Sequence, residues 1–365
     1  MSQVSGKEEK RLLLASDSFK GTLSGKEINE IAQETIEKHF KGVWSLKGLL
    51  LGDGGEGSLE AISSYLKGET HLFATLSSES APLLAPIFIS SGTAYIETAK
   101  AIGLMQVKNK IRPIERSSKG IGILIKEALK LGAKRIVVCL GGSSTSDLGI
   151  GMLSELGVSF SGIANPTMAD AYDIKDIDLS GFLLRSAPIE FSCLCDVNNP
   201  LLGENGASRV YGPQKGFADC DDLERRAKRI ALLYQSAAGK DLSLPFLGAS
   251  GGLASALYAF MDAALLSGAK TILKLAHFKE RAAEADLVIS GEGRFDGQSK
   301  QGKLVGEIAS IIPESKLALI VGQSKSEREG FPIYEIGKER HSLEEMKTKA
   351  KQDYAKALRQ ALSDF

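Results

Sequence analysis

The sequence predicts an α/β protein of two domains, a parallel-sheet domain interrupted by a second, mixed α/β domain. Three observations carry that prediction. Apolar runs of strand length, among them Leu12–Ala15, Ile136–Leu140, Leu287–Ser290 and Leu317–Val321, end at Gly or polar turns and mostly lead into helical patterns. Such runs mark parallel strands covered on both faces. The stretch from about 70 to 100 departs from this pattern, because Pro86–Ser90 and Thr93–Glu97 flank Ser91-Gly92 as a hairpin. The length of 365 residues also exceeds one typical domain.

The first strand runs into Asp17-Ser18-Phe19-Lys20-Gly21-Thr22. Ser24 and Glu27 then form a capping box, and Ile28, Ile31, Ala32, Thr35 and Ile36 recur as the inward stripe of a helix. Leu49–Leu51 ends at Gly52-Asp53-Gly54-Gly55-Glu56-Gly57. The hairpin opens the inserted domain, which takes in a helix over 119–131, strands over 135–140 and 190–195, and an apolar helix over 252–266. Ala285–Gly293 restarts the first pattern. Ser342 with Glu345 opens a C-terminal helix whose Lys and Glu content reads as a solvated outer helix. The expected division is a discontinuous Rossmann-like domain over 1–80 and 285–365, with the inserted α/β domain over 81–284.

Composition excludes several classes. Lys+Arg and Asp+Glu balance at 45 each, so no nucleic-acid or anionic-membrane surface is advertised. No apolar run approaches the ~20 residues of a membrane span, and the charged start lacks a signal core, so a cytoplasmic protein is expected. Cys193 and Cys195 have strand spacing without a second metal-binding pair, and all four cysteines read as reduced thiols. His39, His71, His277 and His341 have no metal spacing and no nucleophile beside them.

Two signals point to chemistry. Gly141-Gly142-Ser143-Ser144-Thr145 follows an apolar strand and offers backbone N–H groups and three hydroxyls, which suit a phosphate, although such turns also serve only to join a strand to its helix. The standard nucleotide signatures fail: Gly297-x4-Gly302-Lys303 has Walker spacing but continues with Leu304, and no G-x-G-x-x-G opens a helix after the first strand. The second signal is the set of carboxylates in turns after apolar runs: Asp17, Asp53, Glu56, Asp196, Glu292 and Asp296. Any one of them alone is readable as a helix N-cap. Six at corresponding strand ends, with Lys20, Lys215 and Lys303 in similar loops, fit the metal-holding acids and cationic clamps of phosphoryl transfer.

Taken in order, these words resemble the type I glycerate kinase family. The likeness runs from Asp17–Thr22 through Asp53–Gly57, Glu97-Thr98-Ala99 and Gly141–Asp147 to Cys195–Leu201. It continues through Asn205–Ser208, Gly212–Gly216 and Gly251-Gly252 and ends in Gly291–Ser299. It departs at Ser146 and Leu148, where the family turn usually reads Asn and Gly, and at Ser16, where Pro is usual. The resemblance implies magnesium-dependent transfer of the ATP γ-phosphate to D-glycerate, with 2-phosphoglycerate favoured. Another small hydroxy acid as substrate, or a dinucleotide-dependent oxidoreductase, remains the alternative. On this reading Lys20, Asp196 and Asp296 are the expected catalytic residues. Asp17, Ser18, Asp53, Glu56, Glu292 and Gln298 meet the substrate, while Gly141, Gly142, Ser143, Ser144, Thr145 and Lys215 meet ATP. Asp196 and Asp296 are also the candidate Mg²⁺ ligands, the metal and base roles being left undivided between them. The expected partner is a small molecule, and the expected assembly a monomer or homodimer.

Overall fold

The computed structural model describes residues 9–19, 21–185, 188–295, 303–324, 330–336 and 343–365. The chain forms two compact units. In chain order the strands are β1 (Lys10–Ser16), β2 (Trp44–Gly48), β3 (Glu69–Leu76), β4 (Pro82–Ser90), β5 (Thr93–Glu97), β6 (Arg135–Cys139), β7 (Ser159–Phe160), β8 (Ile177–Asp178), β9 (Glu190–Leu194), β10 (Ala264–Leu266), β11 (Leu287–Phe295), β12 (Leu317–Ser324) and β13 (Ile333–Glu335).

The first unit comprises Met1–Asp53, Glu60–Tyr65 and Ala269–Phe365. Its sheet has the order β13-β12-β11-β1-β2, and every neighbouring pair is parallel. Numbered within the unit this is 2-1-3-4-5, the flavodoxin-like form of the doubly wound fold, and its strand order reverses between β1 and β11. The apolar run of β1 is buried from Leu12 to Ser16, as a strand covered on both faces requires. The helix Gly25–His39 starts on the expected capping box, Ser24 Oγ accepting from Glu27 N at 3.2 Å and Glu27 Oε2 accepting from Ser24 N at 3.0 Å. Its inward stripe is Ile28, Ile31, Ala32, Thr35 and Ile36, all buried. The C-terminal helix Leu343–Asp364 is not merely a solvated outer helix. Ala350, Tyr354, Ala357, Leu358, Ala361 and Leu362 are buried at helical spacing, and Tyr354 meets Phe19 edge-on at 5.7 Å between ring centroids. Ser342, the expected cap of that helix, lies outside the described residues.

The second unit comprises Gly54–Leu59 and Leu66–Gly268. Its sheet has the order β10-β9-β6-β5-β4-β3, antiparallel across β3, β4 and β5 and parallel from β5 to β10. The hairpin turn holds Ser91 at φ 47° and Gly92 at φ 74°, the paired positive values of a tight primed turn. Ile87, Ile96, Ile136 and Val138 from the sheet share a core with Ile121, Leu124, Ile125, Leu153 and Leu257 from helices.

The division differs from the expected 80/81 and 284/285 boundaries. β3 goes with the second unit because it is hydrogen-bonded along its length to β4. The segment 269–284 goes with the first, where the helix Phe278–Glu284 buries Phe278 and Ala282. The apolar helix expected over 252–266 is shorter, running Ala249–Met261, and Ala264–Leu266 is β10. Asp262, at φ 53°, stops the helix, a break that an apolar run alone does not reveal.

Candidate active site

Parallel pairing lines up four strand ends in the second unit. The register sets Glu97 of β5 beside Cys139 of β6, Cys139 beside Leu194 of β9, and Leu194 beside Leu266 of β10. The residues that follow therefore emerge along one edge: Thr98, Gly141, Asp196 and Ser267. Asp196 is 7% exposed, and its Oδ1 accepts from Ser267 Oγ at 2.8 Å. Beside it, burial pushes the Cys195 thiol up to about 12, with the Asp196 charge adding to the effect.

The loop carrying Glu56 joins this edge. A Cβ on Gly141 would stand 2.5 Å from Gly55 Cα, and one on Gly54 would stand 2.9 Å from the Leu194 carbonyl. These glycines are first of all what lets one loop lie backbone-to-backbone on another. The loop is held by Glu97, whose fully buried carboxylate accepts from Gly57 N at 3.1 Å and Leu59 N at 2.9 Å. Burial raises the Glu97 pKa, and the two amides oppose that rise. Thr98 Oγ1 donates to the Cys139 and Gly141 carbonyls, both at 3.0 Å, and so fixes the start of the phosphate-type turn.

Within the turn the hydroxyls divide into two kinds. Ser144 Oγ is committed to Ser78 Oγ at 2.7 Å and the Ile102 carbonyl at 2.9 Å, so its role is structural. Thr145 Oγ1 and Ser146 Oγ are buried and have no hydrogen-bond partner among the described residues, and Gly142 takes φ 64°. Asp147 accepts from Ser118 N, Ser118 Oγ, Gly149 N and Gly151 N at 2.7–3.2 Å, tying the turn to the helices Lys119–Lys130 and Ile150–Glu155. Burial pushes its pKa up against those bonds. Lys215 reaches the turn from another element, its Nζ donating to the Thr145 carbonyl at 2.6 Å and to Ser143 Oγ at 3.3 Å.

In the first unit the candidate residues gather where the strand order reverses. Ser16 of β1 is registered with Gly291 of β11, so Asp17 leaves β1 beside Glu292, which lies within β11. In sheets of this kind ligands bind at that crevice. Asp17 Oδ1 accepts from Ser18 N at 2.7 Å, while Ser18 Oγ is buried without a partner among the described residues. Asp53 and Glu292 are half-buried. Lys20, Asp296 and Gln298, and with them most of the near-Walker run, lie outside the described residues.

Among the described residues no group of three His, Cys, Asp or Glu side chains converges as a metal cage. Mg²⁺ needs none, since it usually takes one or two carboxylates and completes its shell with phosphates and water. Asp196 fits that demand. No helix among the described residues is long and apolar enough to cross a membrane.

The residue-by-residue reading left four contributors without a role: Glu97, Thr98, Arg116 and the Ser250-Gly251-Gly252 bend. The signal for Glu97 was present, a carboxylate closing the apolar strand Thr93–Glu97 just where burial is deepest. Arg116 carries no such signal, because an arginine before a helix is ordinarily solvated.

The glycerate kinase family model matches residues 12–365. Glycerate 2-kinase of Escherichia coli K12 is 35% identical over 82% of this chain and 81% of its own. Glycerate kinase of Bacillus subtilis 168 is 34% identical over 90% and 88%. A crystal structure described as glycerate kinase 2 from Salmonella typhimurium LT2 superposes with a TM-score of 0.76 at 31% identity, covering 98% of both chains. With the family's model spanning nearly the whole chain, this protein belongs to the glycerate kinase family.

Proposed function

We propose that this protein transfers the γ-phosphate of ATP to D-glycerate and that the product is 2-phosphoglycerate. The observation that carries the reading is the family match over residues 12–365. The second unit supports the nucleotide half: the Gly141–Asp147 turn keeps two buried hydroxyls unpaired, with Lys215 beneath it. Preorganised donors of this kind stabilise charge on transferring phosphoryl groups because they need no reorganisation at the moment of reaction. Asp17, Ser18 and Glu292 at the reversal of the first sheet suit the hydroxyls of a small acid, and Asp53 of the same unit extends that set, while Glu56 is assigned on sequence order alone. Lys20, Asp296 and Gln298 are assigned on sequence order alone.

Asp196 is the described residue best placed to hold Mg²⁺ or to take the proton of the attacking hydroxyl. When bound, Mg²⁺ neutralises charge on the phosphate oxygens. Asp196 itself is held in one orientation by Ser267 at the end of the adjacent strand.

The test is ADP release by the purified protein with D-glycerate and ATP, with and without Mg²⁺, followed by ³¹P NMR of the product. Phosphate on the secondary carbon couples to one proton and gives a doublet; phosphate on the primary carbon couples to two and gives a triplet. A doublet is expected. A triplet would reassign the product, and ADP release indifferent to glycerate would sink the reading.

A further inference from the structure

Two cations lie buried beneath the Gly141–Asp147 turn, and neither forms an ion pair among the described residues. Lys215 is 4% exposed and Arg116 2%. Lys215 Nζ is bonded to neutral groups, the Thr145 carbonyl and Ser143 Oγ. Arg116 Nη1 donates to the Lys215 carbonyl at 2.7 Å and Nη2 to Asn109 Oδ1 at 3.1 Å, while its Nε has no partner. The carboxylates whose charge reaches this pair are Asp147 for Lys215 and Glu79 for Arg116. Both are already engaged, Asp147 with Ser118, Gly149 and Gly151, and Glu79 with the amides of Lys108 and Lys110. On the remaining side Gly251, at φ 67°, leaves bare backbone where a Cβ would sit 2.9 Å from Lys215 Nζ. Thr145 Oγ1 and Ser146 Oγ, buried in the same turn, are unpartnered.

Burying a cation with no carboxylate in contact is costly, and two side by side favour an anion at closer range than Asp147 and Glu79 provide. We propose that Arg116 and Lys215 form a cationic floor which an incoming polyphosphate completes, and that phosphate binding at the Ser143–Ser146 turn draws a proton onto Lys215. This rests on the reading that the turn takes the ATP phosphates. Lys215 acts here as a positioning residue: it holds the Thr145 carbonyl and Ser143 hydroxyl, and its charge is felt through the turn.

The sign follows from the surroundings. In the free protein burial, reinforced by the Arg116 charge and opposed by Asp147, brings the Lys215 pKa down to about 7. Phosphate charge nearby favours the ammonium and raises it again. At pH 6 the amine is already mostly protonated and binding takes up little. At pH 8 the free amine is mostly neutral, so binding takes up most of one proton.

The experiment is calorimetric titration of ADP into the wild-type protein and Lys215→Arg, at pH 6 and pH 8, in buffers of different ionisation enthalpy. At pH 8 the wild type should take up roughly half to one proton more per ADP than the arginine variant, whose charge is fixed. At pH 6 the two should agree. Equal uptake at pH 8 with ADP still bound overturns the floor and leaves the kinase reading standing. Failure of the wild type to bind ADP or ATP removes both. Should Lys215→Arg not fold, ¹³C-lysine NMR of the wild type decides: one amine must titrate near pH 7 without ADP and at least one unit higher with it.

Discussion

The parallel sheet of the first unit and the mixed sheet of the second solve the same problem by different means. In the first unit the strand order reverses between β1 and β11, and topology alone opens a crevice where Asp17 leaves β1 beside Glu292 of β11. In the second unit the strands follow one another without reversal, β3 through β10, apart from the separate β7–β8 pair. No crevice comes from strand order there, so the polar edge has to be built from side chains: Glu97 holding the Gly54–Leu59 loop, Thr98 and Asp147 holding the turn, Lys215 and Arg116 below it. The difference teaches where substitutions should act. Changes in the first unit should alter what binds, whereas changes in the second should also disturb the scaffold.

The largest effect is expected at the strand end that serves chemistry. Asp196→Asn keeps an oxygen for the Ser267 hydrogen bond while removing the charge. Turnover should fall about 10³-fold, within the range for losing a general base or a metal-holding acid, with little change in Tm. Glu292→Gln in the first unit should instead raise KM for glycerate roughly tenfold and leave kcat within a factor of a few. Steady-state kinetics and thermal melts on both variants check the contrast. An Asp196→Asn protein that melts early at full activity would make this acid a scaffold residue.

What could be read beforehand follows the same divide. The buried strands, the Ser24 box and the Ser91-Gly92 turn are local patterns, and local patterns survive without tertiary context. The strand-end acids were legible because a carboxylate ending an apolar run is unusual in any fold. The C-terminal helix misled because Lys and Glu on its outer face masked the buried stripe through Tyr354 and Leu358. Gly141 was read as part of a phosphate turn, yet the nearest neighbour of that glycine is another loop's backbone. Glu97 accepts from amides 38 and 40 residues away and Arg116 reaches a carbonyl 99 residues away, separations at which sequence spacing carries no information.

The second expected effect concerns that long-range holding. Glu97→Ala leaves two amides at the start of the helix Ser58–Tyr65 without their acceptor and should cost about 3 kcal/mol, the upper range for hydrogen bonds to a charged group. Its local counterpart, Ser24→Ala, should cost about 1 kcal/mol. Urea unfolding measures both, and equal costs would erase the distinction between built and local support. Glu97→Gln adds a pH signature. Burial raises the Glu97 pKa in the folded state, so the folded protein holds its proton longer than the unfolded chain. The wild type's stability relative to Glu97→Gln is therefore greatest below the unfolded carboxyl pKa, near 4.5, and declines as pH rises through the folded value. A gap that widens with rising pH would contradict the burial argument.

A further effect lies at Leu148, where the family turn usually carries glycine. Leu148 takes φ 52°, a left-handed conformation that a branched side chain ordinarily avoids at a cost of about 1–2 kcal/mol. Its side chain is nevertheless 3% exposed and fills the space above Gly252, where an added Cβ would stand 2.7 Å from Leu148 Cγ. The leucine and the bare glycine thus fit one another, and burial offsets the strained backbone. Leu148→Gly relieves the strain and deletes a buried side chain whose loss costs about 2–5 kcal/mol, so a net destabilisation of about 2 kcal/mol is expected. Because the Leu148 amide still reaches the Gly251 carbonyl and its own carbonyl still accepts from Tyr234, the turn should keep its shape and ADP affinity should stay within a few-fold. Chemical denaturation and ADP titration on the same variant separate the two expectations. A stabilised variant would mean that backbone strain outweighs packing in the second unit, and that its strand-end edge is held under tension rather than filled.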